Sequence, residues 1–295
     1  MTSLFMGVGK MGLPMARHLH QGGHAVLVTD LDAARLSLAR EAGLSVSGDV
    51  KADLARVGRV FSSLPHDTAL LAVAEQVASH AQAGTVWIDT STVSMAASAQ
   101  AAQRSATAGI RYLRVTVSGN NHMAEAAQLT VLASGTRADY DELVPALKCW
   151  GPTHFYLGQA EQARLMKLVI NLMIAQTSAM LAEGMTLGRQ GGLDWQTLWQ
   201  VVGASAVASP IMKAKTQQLG RAIGERDFSP TFTVHQMLKD IGLIMQAGAD
   251  LHVPLTQTSQ TQQWMQAAVA QGDGELDYAA ILRVVERSAG LTGEA

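Results

Sequence analysis

A lysine inside an apolar segment is the side chain best suited to chemistry in this sequence. Lys167 stands in the segment Leu-Met-Lys-Leu-Val-Ile-Asn-Leu-Met-Ile, where a helical period leaves apolar side chains on nearly every face. Because burial disfavours an ammonium group, we expect the pKa of Lys167 to be lowered. Asn171 follows four residues later and therefore lies on the same helical face. This pair predicts a proton donor and acceptor beside an amide that positions the substrate.

A glycine motif near the start of the chain predicts a dinucleotide site. The six residues from Gly7 onward read Gly-Val-Gly-Lys-Met-Gly and stand between an apolar strand and a helix. In this setting Gly7 makes the tight turn, Gly9 lets the backbone approach a pyrophosphate, and Gly12 lets the helix pack on the strand. The backbone N–H groups around Lys10, Met11 and Gly12, at the positive end of the helix dipole, are expected to face the phosphates.

An acidic residue ends the second predicted strand and bears on the choice of cofactor. Asp30 follows the glycine motif by about 20 residues, a spacing typical of NAD-binding units. A carboxylate at this position accepts hydrogen bonds from the adenosine ribose hydroxyls and repels a 2′-phosphate. We therefore expect NAD as the cofactor and consider NADP disfavoured.

Two polar loops follow predicted strands in the middle of the chain. Residues 89–94 read Asp-Thr-Ser-Thr-Val-Ser, and residues 117–121 read Val-Ser-Gly-Asn-Asn. Open α/β sheets bind ligands at the carboxyl ends of their strands, where both loops are expected to lie. The second loop offers backbone N–H, hydroxyl and amide groups that suit a carboxylate, although each loop alone also fits an ordinary polar connection.

The elements that must position these residues change character along the chain. Up to about residue 157, short apolar strands alternate with helices, as in a parallel sheet. From about residue 161 onward only helical periods remain, interrupted by glycine and proline. We therefore predict an α/β protein with a Rossmann-type NAD-binding domain over residues 1–158 and an all-α substrate and oligomerisation domain over residues 159–295. Strands are predicted at residues 4–6, 25–29, 60–63, 86–88, 112–117 and 129–133, and the first helices at residues 14–20 and 33–41.

Composition argues against several classes of protein. Of 295 residues, 48% are hydrophobic and 16% are charged, which supports a large core. The net charge is −2 and no basic run is present, so nucleic acid is not an expected partner. Cys149 is the single cysteine and the nine histidines form no cluster, so neither an internal disulfide nor a metal site is expected.

Neither the N-terminus nor the longest apolar segment predicts a membrane protein. The residues before the glycine motif are too few for the apolar part of a signal peptide. Residues 165–187 are largely apolar, but they include Lys167, Asn171, Gln176 and Glu183, which are costly in lipid. We therefore expect a buried helix of a soluble, cytoplasmic protein.

The sequence resembles the β-hydroxyacid dehydrogenase family, which includes 3-hydroxyisobutyrate dehydrogenase, tartronate semialdehyde reductase and sulfolactaldehyde reductase. Five blocks match in order along most of the chain, at residues 7–15, 89–93, 117–119, 167–171 and 239–240. The resemblance implies a fold like that of 6-phosphogluconate dehydrogenase, with a helical domain around a long central helix. It also implies a small acid as the substrate and a homodimer or homotetramer.

The same resemblance implies roles for individual residues. Lys167 would be the general acid and base, and Ser118, Gly119 and Asn171 would hold the acid group of the substrate. The backbone of Asn120, in the same loop, is also expected to contact that group. The nicotinamide end of the cofactor would lie along four further residues, namely Leu64, Pro65, Thr92 and Lys239.

Several positions depart from the family pattern. Residues 114–117 read Arg-Val-Thr-Val where the family usually has Asp-Ala-Pro-Val, and Asn120 stands at a usual glycine. Glu161 and Ala163 also replace glycines, and Ile170 replaces the first of two usual asparagines. These differences cluster where the substrate is expected to be read, so the standard substrates of the family are not assumed.

The predicted function is hydride transfer between NAD(H) and a small 3-hydroxy acid or its semialdehyde. Compounds like 3-hydroxyisobutyrate, tartronate semialdehyde or sulfolactaldehyde are the candidates. The tail, from residues 228–230 through 252–254 to 288–290, resembles the sulfolactaldehyde reductase branch, whereas the loop at residues 118–121 does not. Two alternatives stay open: an imine reductase on the same fold, and a catalytically silent NAD-binding sensor. Imine reductases typically lack the lysine, so Lys167 argues against the first. Lys167, Asn171 and Lys239 together argue against the second.

Overall fold

The computed structural model describes residues 2–291, and the chain divides into two compact units, Met1–Lys167 and Leu168–Ala295. The first unit is built on a sheet of eight strands. They are β1 (Thr2–Met6), β2 (Ala25–Thr29), β3 (Ser45–Val46), β4 (Arg59–Ser62), β5 (Val86–Asp89), β6 (Arg111–Ser118), β7 (Thr130–Ser134) and β8 (Thr153–Tyr156).

The strand order of this sheet creates a reversal beside β1. The spatial order is β3-β2-β1-β4-β5-β6-β7-β8, and neighbours pair in parallel apart from the antiparallel pair of β6 and β7. The chain runs outward from β1 to β3 on one side and then crosses to β4 on the other. Such a reversal leaves a crevice at the carboxyl ends of the strands, which is where open α/β sheets bind dinucleotides.

Helices cover both faces of the sheet, which explains why its strands are apolar on both sides. In β1, Phe5 belongs to one buried cluster, whereas Leu4 and Met6 belong to another. In β5, Ile88 and Trp87 divide in the same way. The helices of this unit are α1 (Gly12–Gln21), α2 (Ala33–Glu41), α3 (Val50–Leu54), α4 (Asp67–His80), α5 (Met95–Thr107), α6 (Asn121–Glu125) and α7 (Arg137–Leu147).

The second unit is built from helices around its own core. A helix of 29 residues, α8 (Gln162–Gln190), starts in the first unit and continues into the second. Large side chains such as Trp199, Met237 and Met265 fill the core of the second unit. Its remaining helices are α9 (Trp195–Ala204), α10 (Pro210–Leu219), α11 (Val234–Asp250), α12 (Thr256–Ala270) and α13 (Ile281–Ser288).

The six strands expected from the sequence are all present, with ends shifted by no more than two residues. The two helices predicted in the first unit are present as α1 and α2. Two strands were missed. β3 has only two residues, and β8 lies at the edge of the sheet with alternate residues exposed, so neither produces the apolar run that predicts a buried strand.

The long helix differs from the expectation that it is buried. One side of α8, including Ala175, Ala182 and Met185, lies in the core of the second unit. Met173 and Leu187 are 63% and 76% exposed, however, so the expectation is wrong for the other face. The neighbouring helices of the unit cover only part of the circumference of α8. By length and mean hydropathy alone, α8 also meets the criteria for a membrane span, as core helices can.

Candidate active site

The glycine motif forms a tight loop between β1 and α1. Gly7 has a φ of +92°, and a β-carbon at this position would lie 2.4 Å from the backbone oxygen of Ser63. A β-carbon on Gly12 would lie 2.0 Å from the backbone oxygen of Gly7. The turn and the packing of the helix against it therefore require glycine at both positions.

The middle glycine and the start of α1 leave a surface that suits a diphosphate. A β-carbon on Gly9 would meet nothing within 4 Å among the described residues, so packing does not explain this glycine. Met11, whose side chain cannot cap a helix, precedes α1, and Lys10 beside it is exposed. Backbone N–H groups and the positive end of the helix dipole thus face an open approach. These residues fit the diphosphate of an NAD(P) cofactor.

Asp30 follows β2 directly and is held by two backbone groups. Its Oδ2 accepts a hydrogen bond from the N–H of Val8 at 2.8 Å. Its Oδ1 accepts one from the N–H of Asp32 at 3.0 Å. These bonds fix the carboxylate beside the glycine loop, at the end of the strand where Rossmann-type domains bind the adenosine ribose.

The loops after β4 and β5 lie side by side. The backbone N–H of Leu64 donates to the Oγ of Ser91 at 2.8 Å, and the Ser91 hydroxyl donates to Asp89 at 2.6 Å. The structure therefore brings together two segments that were assigned to the nicotinamide end of the cofactor. In these segments Leu64 and Thr92 are partly buried, whereas Pro65 is exposed.

The loop after β6 starts at Ser118, and its backbone depends on a glycine. Gly119 has a φ of +142°, and a β-carbon there would lie 2.7 Å from the side chain of Leu129. The next residue, Asn120, caps α6, because its Oδ1 accepts a hydrogen bond from the N–H of Met123 at 3.0 Å. Asn120 thus has a structural role that its sequence position did not reveal. Since β1, β4, β5 and β6 run in parallel, this loop shares the edge of the sheet with the other loops.

Lys167 and Asn171 lie one turn apart on α8, and the side chain of Asn171 is hydrogen-bonded to a buried carboxylate. Lys167 is partly buried rather than enclosed, so its apolar neighbours overstated its burial. Asn171 is 5% exposed, and its Nδ2 donates to the Oδ2 of Asp240 at 2.5 Å. The Oδ1 of Asp240 lies 2.7 Å from the Nζ of Lys239. The second unit therefore brings Asn171 and Lys239 together through one carboxylate.

Asp240 contacts two of the predicted site residues, and sequence reasoning assigned it no role. It lies on α11 in a buried stripe with Met237, Ile241 and Ile244, at the three- and four-residue spacing of an amphipathic helix. A carboxylate in such a stripe is costly unless it is paired. An acidic residue in an apolar stripe, next to a lysine of a matching block, is the signal that could have identified it.

Two arginine–carboxylate pairs at the start of α8 were also missed. Arg164 forms a fully buried ion pair with Asp89. Arg114 donates from its Nε to the Oε1 of Glu161 at 2.7 Å, and both side chains are largely buried. Arg114 and Glu161 are two of the departures that were expected to alter substrate reading. They contact each other, so a structural reason accounts for their joint presence.

Two family models match the sequence in succession. Residues 3–158 match the model described as the NAD binding domain of 6-phosphogluconate dehydrogenase. Residues 162–285 match the model described as NAD-binding of NADP-dependent 3-hydroxyisobutyrate dehydrogenase. Together the two matches span nearly all of the chain.

Individual relatives align over nearly their whole length. The chain is 31% identical to 2-(hydroxymethyl)glutarate dehydrogenase of Eubacterium barkeri, over 98% of this chain and 96% of the relative. It is 28% identical to glyoxylate/succinic semialdehyde reductase 1 of Arabidopsis thaliana, over 96% and 98% of the two chains. Among solved structures, 3-hydroxyisobutyrate dehydrogenase of Mycobacterium tuberculosis with L-serine superposes with a TM-score of 0.88 at 25% identity, covering 96% and 98% of the chains.

Proposed function

Because the chain belongs to the β-hydroxyacid dehydrogenase family of NAD(P)-dependent oxidoreductases, we propose that it transfers hydride between NAD(H) and a small 3-hydroxy acid or semialdehyde. The observation that carries this proposal is the arrangement on α8. Lys167 and Asn171 share one helical face, and Asp240 fixes the amide of Asn171. A proton-transferring group and an oriented amide on one rigid element are what alignment of a small acid requires.

The choice of NAD over NADP is part of this proposal and rests on Asp30. The second matched family model is described as NADP-dependent, so family membership does not decide the cofactor. Asp30 places a carboxylate beside the glycine loop, where it suits ribose hydroxyls and repels a 2′-phosphate. When bound, the nicotinamide supplies the hydride, and the protein supplies orientation and proton transfer.

Lys167 is the proposed proton donor and acceptor. In the reducing direction its ammonium gives a proton to the carbonyl oxygen as that oxygen becomes an alkoxide. In the oxidising direction the neutral amine takes the proton from the hydroxyl. General acid–base catalysis of this kind is typically worth about 10²–10⁴ in rate.

The hydrogen bond to Asp240 determines how the side-chain amide of Asn171 is oriented. Asp240 as a carboxylate can only accept hydrogen bonds, so the Nδ2 of Asn171, and not its Oδ1, faces it. One hydrogen on Nδ2 is used in this bond, and the other is available for an acid group of the substrate. The acid group of the substrate needs further hydrogen-bond donors. We assign this role to the hydroxyl of Ser118 and to the backbone N–H groups of Ser118, Gly119 and Asn120.

Three further features belong to the proposal. We propose a cytoplasmic enzyme that forms a homodimer or homotetramer, with a small-molecule acid as its partner and no nucleic acid or membrane. An imine reductase and a silent NAD-binding sensor are the competing functions. Lys167 favours the dehydrogenase over the former, and the joint presence of Lys167, Asn171 and Lys239 favours it over the latter.

The direct test is NADH oxidation with a panel of two- to four-carbon aldehydes that carry a carboxylate, a sulfonate or a phosphate. Two relatives are named for substrates with carboxylates, which places glyoxylate and succinic semialdehyde in the panel. The dehydrogenase proposal expects turnover of at least one aldehyde acid. Cyclic imines are assayed beside the aldehydes, and turnover of the imines alone would favour the imine reductase. Tight NADH binding without turnover of any compound would favour the sensor.

A further inference from the structure

Arg164 makes an unusually complete set of buried hydrogen bonds at the first turn of α8. Its side chain is fully buried. The guanidinium donates to the carboxylate of Asp89 and to the backbone oxygen of Ser91. It also donates to the Oγ of Ser98 at 3.2 Å and to the hydroxyl of Tyr112 at 3.1 Å. One side chain thus ties the start of α8 to the end of β5, to the loop after it, to α5 and to β6.

Asp89 links this arginine to the loops proposed to line the nicotinamide. Its Oδ1 accepts hydrogen bonds from Ser62 at 2.5 Å and from Ser91 at 2.6 Å. The Oγ of Ser91 in turn accepts a hydrogen bond from the backbone N–H of Leu64. The Nε1 of Trp87 donates to Ser62 at 2.9 Å and orients that hydroxyl. A single chain of hydrogen bonds therefore runs from the loop after β4, through Asp89, to Arg164.

A fully buried ion pair is a poor means of gaining stability. The desolvation of two charges offsets much of their attraction, and well-packed apolar residues often stabilise a protein equally well. Such a pair does fix the relative positions of its two side chains, because the planar guanidinium can donate to a carboxylate in only a few orientations. Lys167 stands three residues after Arg164, a rise of about 4.5 Å along the same helix. Whatever fixes Arg164 therefore fixes the turn that carries Lys167.

We infer that Arg164, paired with Asp89, is a positioning residue that sets the place of Lys167 relative to the loops after β4 and β5. The inference rests on the proposed role of Lys167 as acid and base. A second pair acts on the same turn. Arg114 of β6 binds Glu161, which immediately precedes α8, and the guanidinium of Arg114 lies 4.9 Å from the ring centre of Tyr112. The start of α8 is thus held at Glu161 and again at Arg164.

The test is the double variant Arg164→Met with Asp89→Asn. Removing both charges avoids an unpaired buried charge, so the variant is expected to fold. The amide oxygen at position 89 can still accept from Ser62 and Ser91. We expect kcat to fall about tenfold or more, because small displacements of a catalytic group are costly. The NADH dissociation constant should change by less than about threefold. The kinetic isotope effect with 4-deuterated NADH should rise as the chemical step slows.

A control at a more exposed ion pair of the same unit is Arg111→Met with Asp139→Asn. Arg111 opens β6 at the end opposite to Ser118 and binds Asp139 at 2.8 Å. This control also loses an arginine–aspartate pair of the same unit, and we expect kcat and the isotope effect to stay unchanged. If the Arg164–Asp89 variant loses thermal stability but keeps its kcat and isotope effect, the pair is only structural and the inference is wrong.

A double-mutant cycle with Lys167→Ala separates this inference from the proposed function. If Arg164 acts through Lys167, the Arg164–Asp89 substitutions should reduce kcat by less than about twofold in the Lys167→Ala background. A full and additive loss in that background would overturn the positioning role while leaving Lys167 as the acid and base. Near-normal turnover of Lys167→Ala by itself would instead overturn the proposed function.

Discussion

The Oδ2 of Asp30 accepts a hydrogen bond from the backbone N–H of Val8 at 2.8 Å, and this bond joins the end of β2 to the glycine loop. This bond ties a charged group to the loop on which the cofactor is proposed to lie. The charge therefore cannot swing away to admit a 2′-phosphate without losing a backbone hydrogen bond. If the cofactor lies as proposed, two effects would act against NADP, namely repulsion and the loss of a native contact.

We expect the protein to prefer NADH over NADPH by at least about tenfold in kcat/KM, which corresponds to about 1.4 kcal/mol. Replacing Asp30→Ser together with Leu31→Arg should reduce or reverse this preference, since Leu31 is fully exposed beside Asp30. Asp32→Asn is the matched control, because Asp32 caps α2 and an asparagine can keep that cap. Equal wild-type efficiency with the two cofactors would contradict the role of Asp30.

Lys167→Ala should retain NADH binding and lose turnover by about 100-fold or more, because it removes the group that is proposed to transfer the proton. NADH binding can be followed by fluorescence titration and turnover by NADH oxidation. Lys51→Ala, which removes an exposed lysine from α3, serves as the control. Turnover of Lys167→Ala close to that of the control would rule out Lys167 as the acid and base.

The loop after β6 offers a test of substrate selection that separates two roles of Asn120. Asn120→Ser keeps an N-cap for α6, whereas Asn120→Gly removes the side-chain cap. If the amide reads the substrate, both variants should change the relative activity with carboxylate, sulfonate and larger acids. NADH affinity should change less. If only the glycine variant differs from wild type, Asn120 acts as a cap alone.

The exposed side of α8 predicts self-association. One side of α8 carries four apolar side chains that are each more than 40% exposed, namely Val169, Met173, Met180 and Leu187. An exposed apolar patch of this kind is typical of a protein–protein interface. We expect a homodimer or homotetramer by light scattering at micromolar concentration. Met173→Glu with Met180→Glu should lower the molecular mass. Leu38→Glu, at an exposed leucine of α2, should not. A monomeric wild-type protein would contradict the prediction.

Tyr112 predicts a loss of stability at alkaline pH. Burial raises the pKa of Tyr112 to about 12 from 10.0; Asp89 adds to the rise, and Arg164 opposes it. A tyrosine whose pKa is higher in the folded state stabilises that state below pH 10, and this contribution is lost between pH 10 and about 12. The loss is at most about 1.4 kcal/mol per pH unit. Urea unfolding should show a shallower decline for Tyr112→Phe, and an identical decline would contradict the assignment.

Local patterns were sufficient to predict the elements that carry the cofactor half of the candidate site. The strands from β1 to β7, apart from β3, are largely apolar because helices bury both faces of the sheet, and this composition predicts them. Gly7 and Gly12 are required by backbone geometry within a few residues of one another. Features of this kind depend on near neighbours in the chain and can be read from spacing.

Contacts between distant residues could not be predicted in this way. Arg164 and Asp89 are separated by 75 positions, and Asn171 and Asp240 by 69. Each partner alone looks like a polar residue in an apolar neighbourhood, and only the fold shows which carboxylate meets which donor. The partial burial of Lys167 was missed for a related reason, since a helical period cannot tell which apolar faces the chain covers.

The continuity of α8 has an evolutionary consequence. Lys167 is the last residue of the first unit and Asn171 lies in the second, yet one unbroken helix carries both. Their separation along the helix is therefore set by helical geometry alone. Substitutions between them, such as the isoleucine at 170, preserve this register. Insertion or deletion of a single residue there would rotate Asn171 by about 100° away from the face of Lys167. Descendants of this sequence can therefore diversify here by exchanging residues, whereas length variation should be confined to the loops.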